Sequence, residues 1–204
     1  MRPKRTKISK KNLLNCGVPS RLHDLSLEDF DFEDKLKQYV TTYIEHLDKV
    51  YKEGKGIYFF GKNGVGKTTL ACMILKECYT YRYTCKRITF MDYVSLYTRA
   101  WGDSVVKQEV EEEINKIKSR EFLCIEEIGK ENDTKVAVNV LEDLLRYRED
   151  NSLPTIICTN LSPKAVKERY GNSIYSLMKG NCVPIKVTGE DKRGVKSGRS
   201  CINI

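Results

Sequence analysis

Between Gly56 and Leu70 the chain reads Gly-Ile-Tyr-Phe-Phe-Gly-Lys-Asn-Gly-Val-Gly-Lys-Thr-Thr-Leu, and this stretch constrains the fold more than any other. An apolar run ends at a glycine-rich loop, and the loop leads into a segment with a helical apolar period. Gly61, four residues, Gly66, Lys67 and Thr68 satisfy the P-loop pattern. A strand over 57–60 would deliver the loop to the N-terminus of a helix, where free amides and the helix dipole attract anions. Glycines at 61, 64 and 66 let the backbone curl close to a phosphate chain without Cβ clashes. The pattern predicts that Gly61, Lys62, Asn63, Gly64, Val65, Gly66, Lys67, Thr68 and Thr69 hold a nucleoside triphosphate. Lys67 would reach the β- and γ-phosphates, and the Thr68 hydroxyl would sit on Mg²⁺.

Such a loop needs a sheet behind it, and the other apolar runs supply one. Residues 86–91, 122–126, 154–158 and 183–187 read as strands, alternating with helical periods over 67–81, 92–100, 103–119 and 134–149. Residues 163–169 and 173–179 read as short helices. This alternation argues an α/β fold, a parallel sheet with helices on both faces. Ahead of it, 35–52 reads as one helix with Leu36, Val40, Tyr43, Ile44, Leu47 and Tyr51 on one face. Residues 15–34 read as a loop anchored by Leu25, Leu27, Phe30 and Phe32. Residues 1–14 carry six cations and no acid, which predicts a flexible basic arm. Residues 194–204 read as a short tail with no room for a helical lid domain, which leaves 15–193 as the ATPase domain.

Binding alone is not hydrolysis, which needs a carboxylate near the metal and a second group to orient water. Phe122-Leu-Cys-Ile-Glu126-Glu127 ends an apolar strand in two acids. Glu126, at the strand end, would hold the water shell of Mg²⁺, while Glu127, past the tip, would face the γ-phosphate. The next apolar strand ends in Thr159-Asn160, and the Asn160 amide would lie between γ-phosphate and water if that strand is central. The same residues, before Ser162-Pro163, also read as an ordinary helix-capping turn.

At 204 residues the chain has room for one such domain, and its balance of 40% hydrophobic to 31% charged residues is that of a soluble globular protein. The net charge of +8 lies in the two ends, which leaves 12–189 neutral and suggests contact with a phosphate backbone through the tails. Eight cysteines without a Cys-x-x-Cys pair read as reduced core residues, and two histidines form no ligand pattern. No apolar run is long enough to span a bilayer and none resembles a secretory signal, so the expected location is cytoplasmic with no membrane partner.

Together, Gly61 to Thr68, Ile125-Glu-Glu-Ile-Gly129, Thr159-Asn160-Leu-Ser162, Lys167-Glu-Arg-Tyr-Gly171 and Gly189-Glu-Asp-Lys-Arg193 resemble the AAA+ ATPases of the DnaC/IstB group. These are helicase loaders and transposition-helper ATPases. Gly17-Val18-Pro19-Ser20-Arg21 looks like the family's segment ahead of the core. The resemblance implies a three-layer P-loop NTPase with sheet order 5-1-4-3-2, ATP and Mg²⁺ as ligands, and self-assembly into an oligomer with sites between subunits. By matching position Glu126 and Glu127 are the Walker B pair, with Thr68 and Glu126 at the metal. Lys67, Glu127, Asn160 (sensor 1) and Arg193 (sensor 2) are then the catalytic set.

Three departures stand out. Glu126 replaces the usual aspartate and is one methylene longer. Ser176-Leu177-Met178 has leucine where the family often has an arginine finger, which moves that role to Arg169, Lys179 or Arg148 or removes it. Residues 1–14 are too short to fold as the N-terminal domain by which many loaders grip the helicase. The reading favoured is a helicase loader that binds single-stranded DNA and a DnaB-type replicative helicase. Its rivals are a transposition helper on duplex DNA, a small-molecule P-loop kinase and a nucleotide-gated adaptor with little turnover.

Overall fold

A computed structural model describes residues 2–5, 8–99, 104–131 and 135–192, the side chains of 104–106 excepted. Strands β1 (Gly56–Phe60), β2 (Cys85–Thr89), β3 (Phe122–Ile128), β4 (Thr155–Thr159) and β5 (Cys182–Lys186) form one parallel sheet in the order β2-β3-β4-β1-β5. That is the expected order read from the opposite edge. Helices α1 (Lys10–Asn15), α2 (Asp34–Glu45), α3 (Leu47–Lys52), α4 (Lys67–Thr80), α5 (Phe90–Arg99), α6 (Ser104–Lys118), α7 (Lys135–Asp150) and α8 (Pro163–Asn181) surround it.

Period-two side chains divide the core into two layers. Ile57, Phe59, Phe122, Cys124, Ile156 and Cys158 meet α4, α2 and the buried anchors Val18, Leu22 and Phe32. On the other face Tyr58, Leu123, Ile125 and Ile157 meet buried side chains of α5 to α8. Because both faces are covered, the central strands are apolar without alternation. With β1 between β4 and β5, the C-terminal tips of β1, β4 and β3 stand side by side, where ligands of open α/β sheets bind.

The structure differs from the sequence reading at several points. The helix expected over 35–52 breaks at His46 (φ −108°, ψ 26°), whose ring nitrogen contacts the Thr42 carbonyl at 2.9 Å; Leu47 then enters the core fully buried. Helix α5 starts at Phe90 because the Thr89 hydroxyl accepts a hydrogen bond from the Asp92 amide at 3.1 Å and closes the turn. In α8 the backbone leaves the helix at Gly171 (φ 84°), between the two short helices expected there.

The described part of 1–14, expected as a flexible arm, is mostly exposed and partly helical, and it touches the body at Arg2, Arg5 and Leu13. Leu13 of α1 is buried. Arg2 donates to Glu121 at 2.6 Å and its guanidinium stands 4.0 Å from the Tyr83 ring centre. Arg5 lies 4.4 Å from the Tyr79 ring, and its amide donates to the Thr80 carbonyl. Tyrosine faces attract these cations, which charge counting alone does not register. No helix among the described residues is long and apolar enough to cross a membrane.

Candidate active site

The loop Gly61 to Thr68 leaves β1 and enters α4 at Gly66, which has φ 101°. At that angle a side chain is strained, and a Cβ on Gly66 would stand 2.6 Å from the Phe32 ring. Gly61 is equally constrained: its Cβ would meet the Val187 carbonyl oxygen at 2.2 Å. No side chain caps the start of α4, so its first amides remain for an anion. A cavity of about 700 Å³ opens above these amides, within the range of small-molecule sites. Thr68, Thr69, Glu126, Glu127 and Asn160 all contribute to its wall.

Lys67 crosses the loop. Its ammonium donates to the carbonyls of Gly61 (2.8 Å) and Lys62 (2.6 Å) and to Oδ1 of Asn160 (3.1 Å). The Asn160 Nδ2 donates in turn to Oδ1 of Asn63 at 2.8 Å. Asn160 therefore ties the tip of β4 to the loop from both ends of its amide. Val65 instead points into the core and is buried.

The two acids of β3 diverge because the strand bulges against β4 between Glu126 and Ile128. Strand β3 runs to Ile128, beyond the end expected at Glu126, and Glu127 occupies the left-handed region (φ 62°) on the bulge. Glu127 is half-exposed and pairs with Lys130 at 2.5 Å. Glu126 is 3% exposed; its Oε2 accepts a hydrogen bond from Nε of Arg87 (2.9 Å) and forms an ion pair with Nη2 at 2.6 Å. Burial pulls the Arg87 guanidinium down, but the Glu126 charge and hydrogen bonds outweigh it and its pKa rises. Glu126 Oε1 is buried and has no hydrogen-bond partner among the described residues.

That orphaned oxygen, with the Thr68 hydroxyl on the same cavity, is an all-oxygen donor set suited to Mg²⁺. Cys124 and Cys158 lie within 4.8 Å of the Glu126 carboxylate. The hydrogen bond that Cys124 shares with Cys158, then burial, raises Cys124, and burial raises Cys158; both stay neutral thiols, which are poor ligands.

Sequence reasoning missed Arg87, since nothing in a cation on an edge strand signals its partner on the neighbouring strand, 39 residues on. It also gave no role to Arg21, which reaches the same cavity, or to Glu131. Glu131 is buried, accepts from the Gly129 amide at 2.8 Å and pairs with Arg169 at 3.2 Å. The Glu-Arg-Tyr of the 167–171 motif was the available signal, because Tyr170 also donates to Glu131. Arg148, one position considered for a displaced arginine finger, is 1% exposed. It donates to Thr155 Oγ1 and to the carbonyls of Lys118, Arg120 and Pro154, at the opposite end of the sheet from the cavity. Leu177 faces inward at 7% exposure. Arg193 and the tail 194–204 lie outside the described residues.

Residues 57–174 match the family model of the ATPase family associated with various cellular activities (AAA). Over 134 residues the chain is 32% identical to the replicative helicase loader DnaI of Bacillus subtilis, covering 65% of this chain and 42% of that protein. It is 23% identical over 167 residues to the replicative helicase loader DnaC of Escherichia coli K12, covering 77% of this chain and 64% of that one. A crystal structure of DnaI superposes with a TM-score of 0.65 at 25% identity, over 83% of this chain and 94% of the other. The chain thus spans less than two thirds of the length of either curated relative.

Proposed function

The chain belongs to the ATPase family associated with various cellular activities, and from that premise we propose that it binds ATP with Mg²⁺ in this cavity, hydrolyses it, and serves as a replicative helicase loader. One observation carries the nucleotide reading. Lys67 and Asn160, 93 residues apart in sequence, meet over a loop whose glycines admit no Cβ and whose helix starts without a side-chain cap.

On this reading the bonds from Lys67 to the loop carbonyls are exchanged for phosphate oxygens. Glu126 and Thr68 hold the metal, which when bound supplies charge neutralisation across the phosphates. Glu127 accepts the proton of the attacking water, leaving Lys130 to do so. An exposed pair of this kind is worth about 0–1 kcal/mol, so the exchange costs little. Asn160 orients the water, and Arg193 completes the set.

The loader role is supported by the names of the DnaI and DnaC relatives, and contact with single-stranded DNA by the net charge of +8. Arg2 and Arg5 are occupied by the body, so other cations would have to follow the strand. Self-assembly would supply any transition-state arginine from a neighbouring copy. A second reading, a nucleotide-gated adaptor that turns over slowly, is favoured by the ion pairs already made by both Glu126 and Glu127.

Steady-state ATP hydrolysis with and without single- and double-stranded DNA tests these readings, with Lys67→Ala and Glu127→Gln as controls. Stimulation by single strands, lost in both variants, supports the loader. Duplex-selective stimulation supports a transposition helper. Tight ATP binding with background turnover throughout supports the adaptor.

A further inference from the structure

Arg87 stands on the edge strand β2, two residues before Thr89, which pairs with Glu126. From there its guanidinium reaches two places at once. Nε donates to Oε2 of Glu126 at 2.9 Å and Nη2 stands 2.6 Å from the same oxygen as an ion pair, while Nη1 donates to the Gly17 carbonyl at 2.9 Å. The backbone of Arg87 is fixed as well, its amide donating to the Cys16 carbonyl at 2.7 Å. The fork is therefore held at its root and at its far corner. Its remaining edge fixes one carboxylate oxygen and leaves the other, Oε1, buried without a hydrogen-bond partner among the described residues, on a side chain that lines the cavity.

We propose that Arg87 is the positioning residue of the metal site: by seizing Oε2 of Glu126 it presents Oε1 alone to the hydrated cation that accompanies the nucleotide. The proposal rests on the nucleotide reading above and goes further, because it accounts for glutamate at this position. Aspartate would draw the carboxylate back by about 1.5 Å, one carbon–carbon bond, and carry the carboxylate oxygen out of hydrogen-bond range of Nε. A longer side chain has one more torsion that a neighbour must fix. A guanidinium fork can, since its donors are coplanar and rigid. Arg87 does not touch the nucleotide; it acts through Glu126.

The rival account is that the pair only neutralises a buried acid and fastens residues 16–17 to the sheet edge. Metal dependence separates the two. The experiment measures ATP affinity by calorimetry, in Mg²⁺ and in excess EDTA, for the full chain and for Arg87→Met, Arg87→Lys, Glu126→Asp and Arg87→Met/Glu126→Asp, with each melting temperature read alongside. Positioning predicts that the gain in affinity from Mg²⁺ falls about tenfold in Arg87→Met, the scale of one charge-assisted hydrogen bond, while affinity in EDTA stays within about twofold. Glu126→Asp falls similarly. The double variant falls no further than either single one, because all three break the same contact. Arg87→Lys, which keeps the charge and the fold but not the fork, also loses most of the gain.

An undiminished Mg²⁺ gain in Arg87→Met or Arg87→Lys overturns the proposal, whatever happens to the melting temperature; so does a double variant whose losses multiply. Should Arg87→Met not fold, Arg87→Lys and Glu126→Asp carry the same decision. If the unaltered chain gains nothing from Mg²⁺, the nucleotide reading falls and this proposal with it. If it gains and no variant changes that gain, positioning alone falls.

Discussion

Replacing Leu177 by arginine puts the arrangement of α8 to a severe test. Related sequences suggest an arginine there, reaching out to a neighbouring subunit, yet Leu177 is 7% exposed among Ile174, Met178, Val166 and Tyr170. Leu177→Arg forfeits the leucine burial, about 2 kcal/mol. It also places a guanidinium inside an apolar cluster, at a further several kcal/mol. The sum is on the order of 5 kcal/mol, against a total stability of about 5–15 kcal/mol for a domain of this kind. At about 2–4 °C per kcal/mol for a chain of this size, the melting temperature should fall by more than about 10 °C. Lys179→Arg, two residues on and exposed, should change it by less than about 2 °C. Thermal denaturation followed by circular dichroism measures both. A Leu177→Arg protein that melts with the unaltered chain and hydrolyses ATP faster would refute the inward placement of Leu177 and restore the finger to that position.

Other outcomes follow from single features of the site. Glu127→Gln should keep ATP affinity within about threefold while turnover falls by about 10² or more, the usual contribution of a general base; equal losses in both would remove Glu127 from that role. Gly66→Ala forces a side chain into the left-handed region against the Phe32 ring, so it should cost about 1–3 kcal/mol in denaturant titration and weaken ATP binding as the loop shifts. Unchanged stability would mean that the loop and Phe32 are not packed as described. Burial pushes the Cys72 thiol up to about 12, and Cys78 and Cys124 are raised as well. Cys72 stays protonated in the native protein at any pH below about 11, and the other two are shifted in the same direction, so iodoacetamide at pH 8 should label these peptides only after denaturant is added. Native labelling of Cys72 would contradict its burial between α4 and the sheet.

Much of the fold was legible because its signals are local. The glycine spacing, the unbroken apolar runs and the helical periods each depend on neighbours within a few residues, and they locate the sheet, its parallel sense and the loop. The resemblance to AAA+ ATPases then supplied the strand order, which periodicity does not contain. What stayed hidden depends on contacts between distant residues. The bulge at Glu127 arises from the register of β3 against β4, and the Arg87–Glu126 pair from two strands 39 residues apart in sequence. The break at His46 shows the same limit at short range, since 35–52 keeps its apolar stripe across the interruption. Residues 1–14 looked like a solvated arm because they carry six cations and no acid. Only the fold brings Tyr79 and Tyr83 under Arg5 and Arg2.

The loop itself is held from three sides by segments that lie outside the stretch that announces it. Phe32 packs beneath Gly66, and the Lys192 side chain lies over the Phe32 ring at 4.2 Å. The Lys192 amide donates to the Gly64 carbonyl at 3.0 Å, and the Val187 amide to the Phe60 carbonyl at 2.8 Å. Residues 16–17 reach the far wall of the cavity through Arg87. The segment before α2 and the segment after β5 therefore touch the same few loop residues. A partner that displaced either one would change the shape of the phosphate cradle without touching the nucleotide. By reciprocity, occupancy of the cradle would change affinity for that partner by the same factor. For a chain that resembles helicase loaders, these two segments are where a partner could read the nucleotide state, because they share contacts with the loop and lie at its edge.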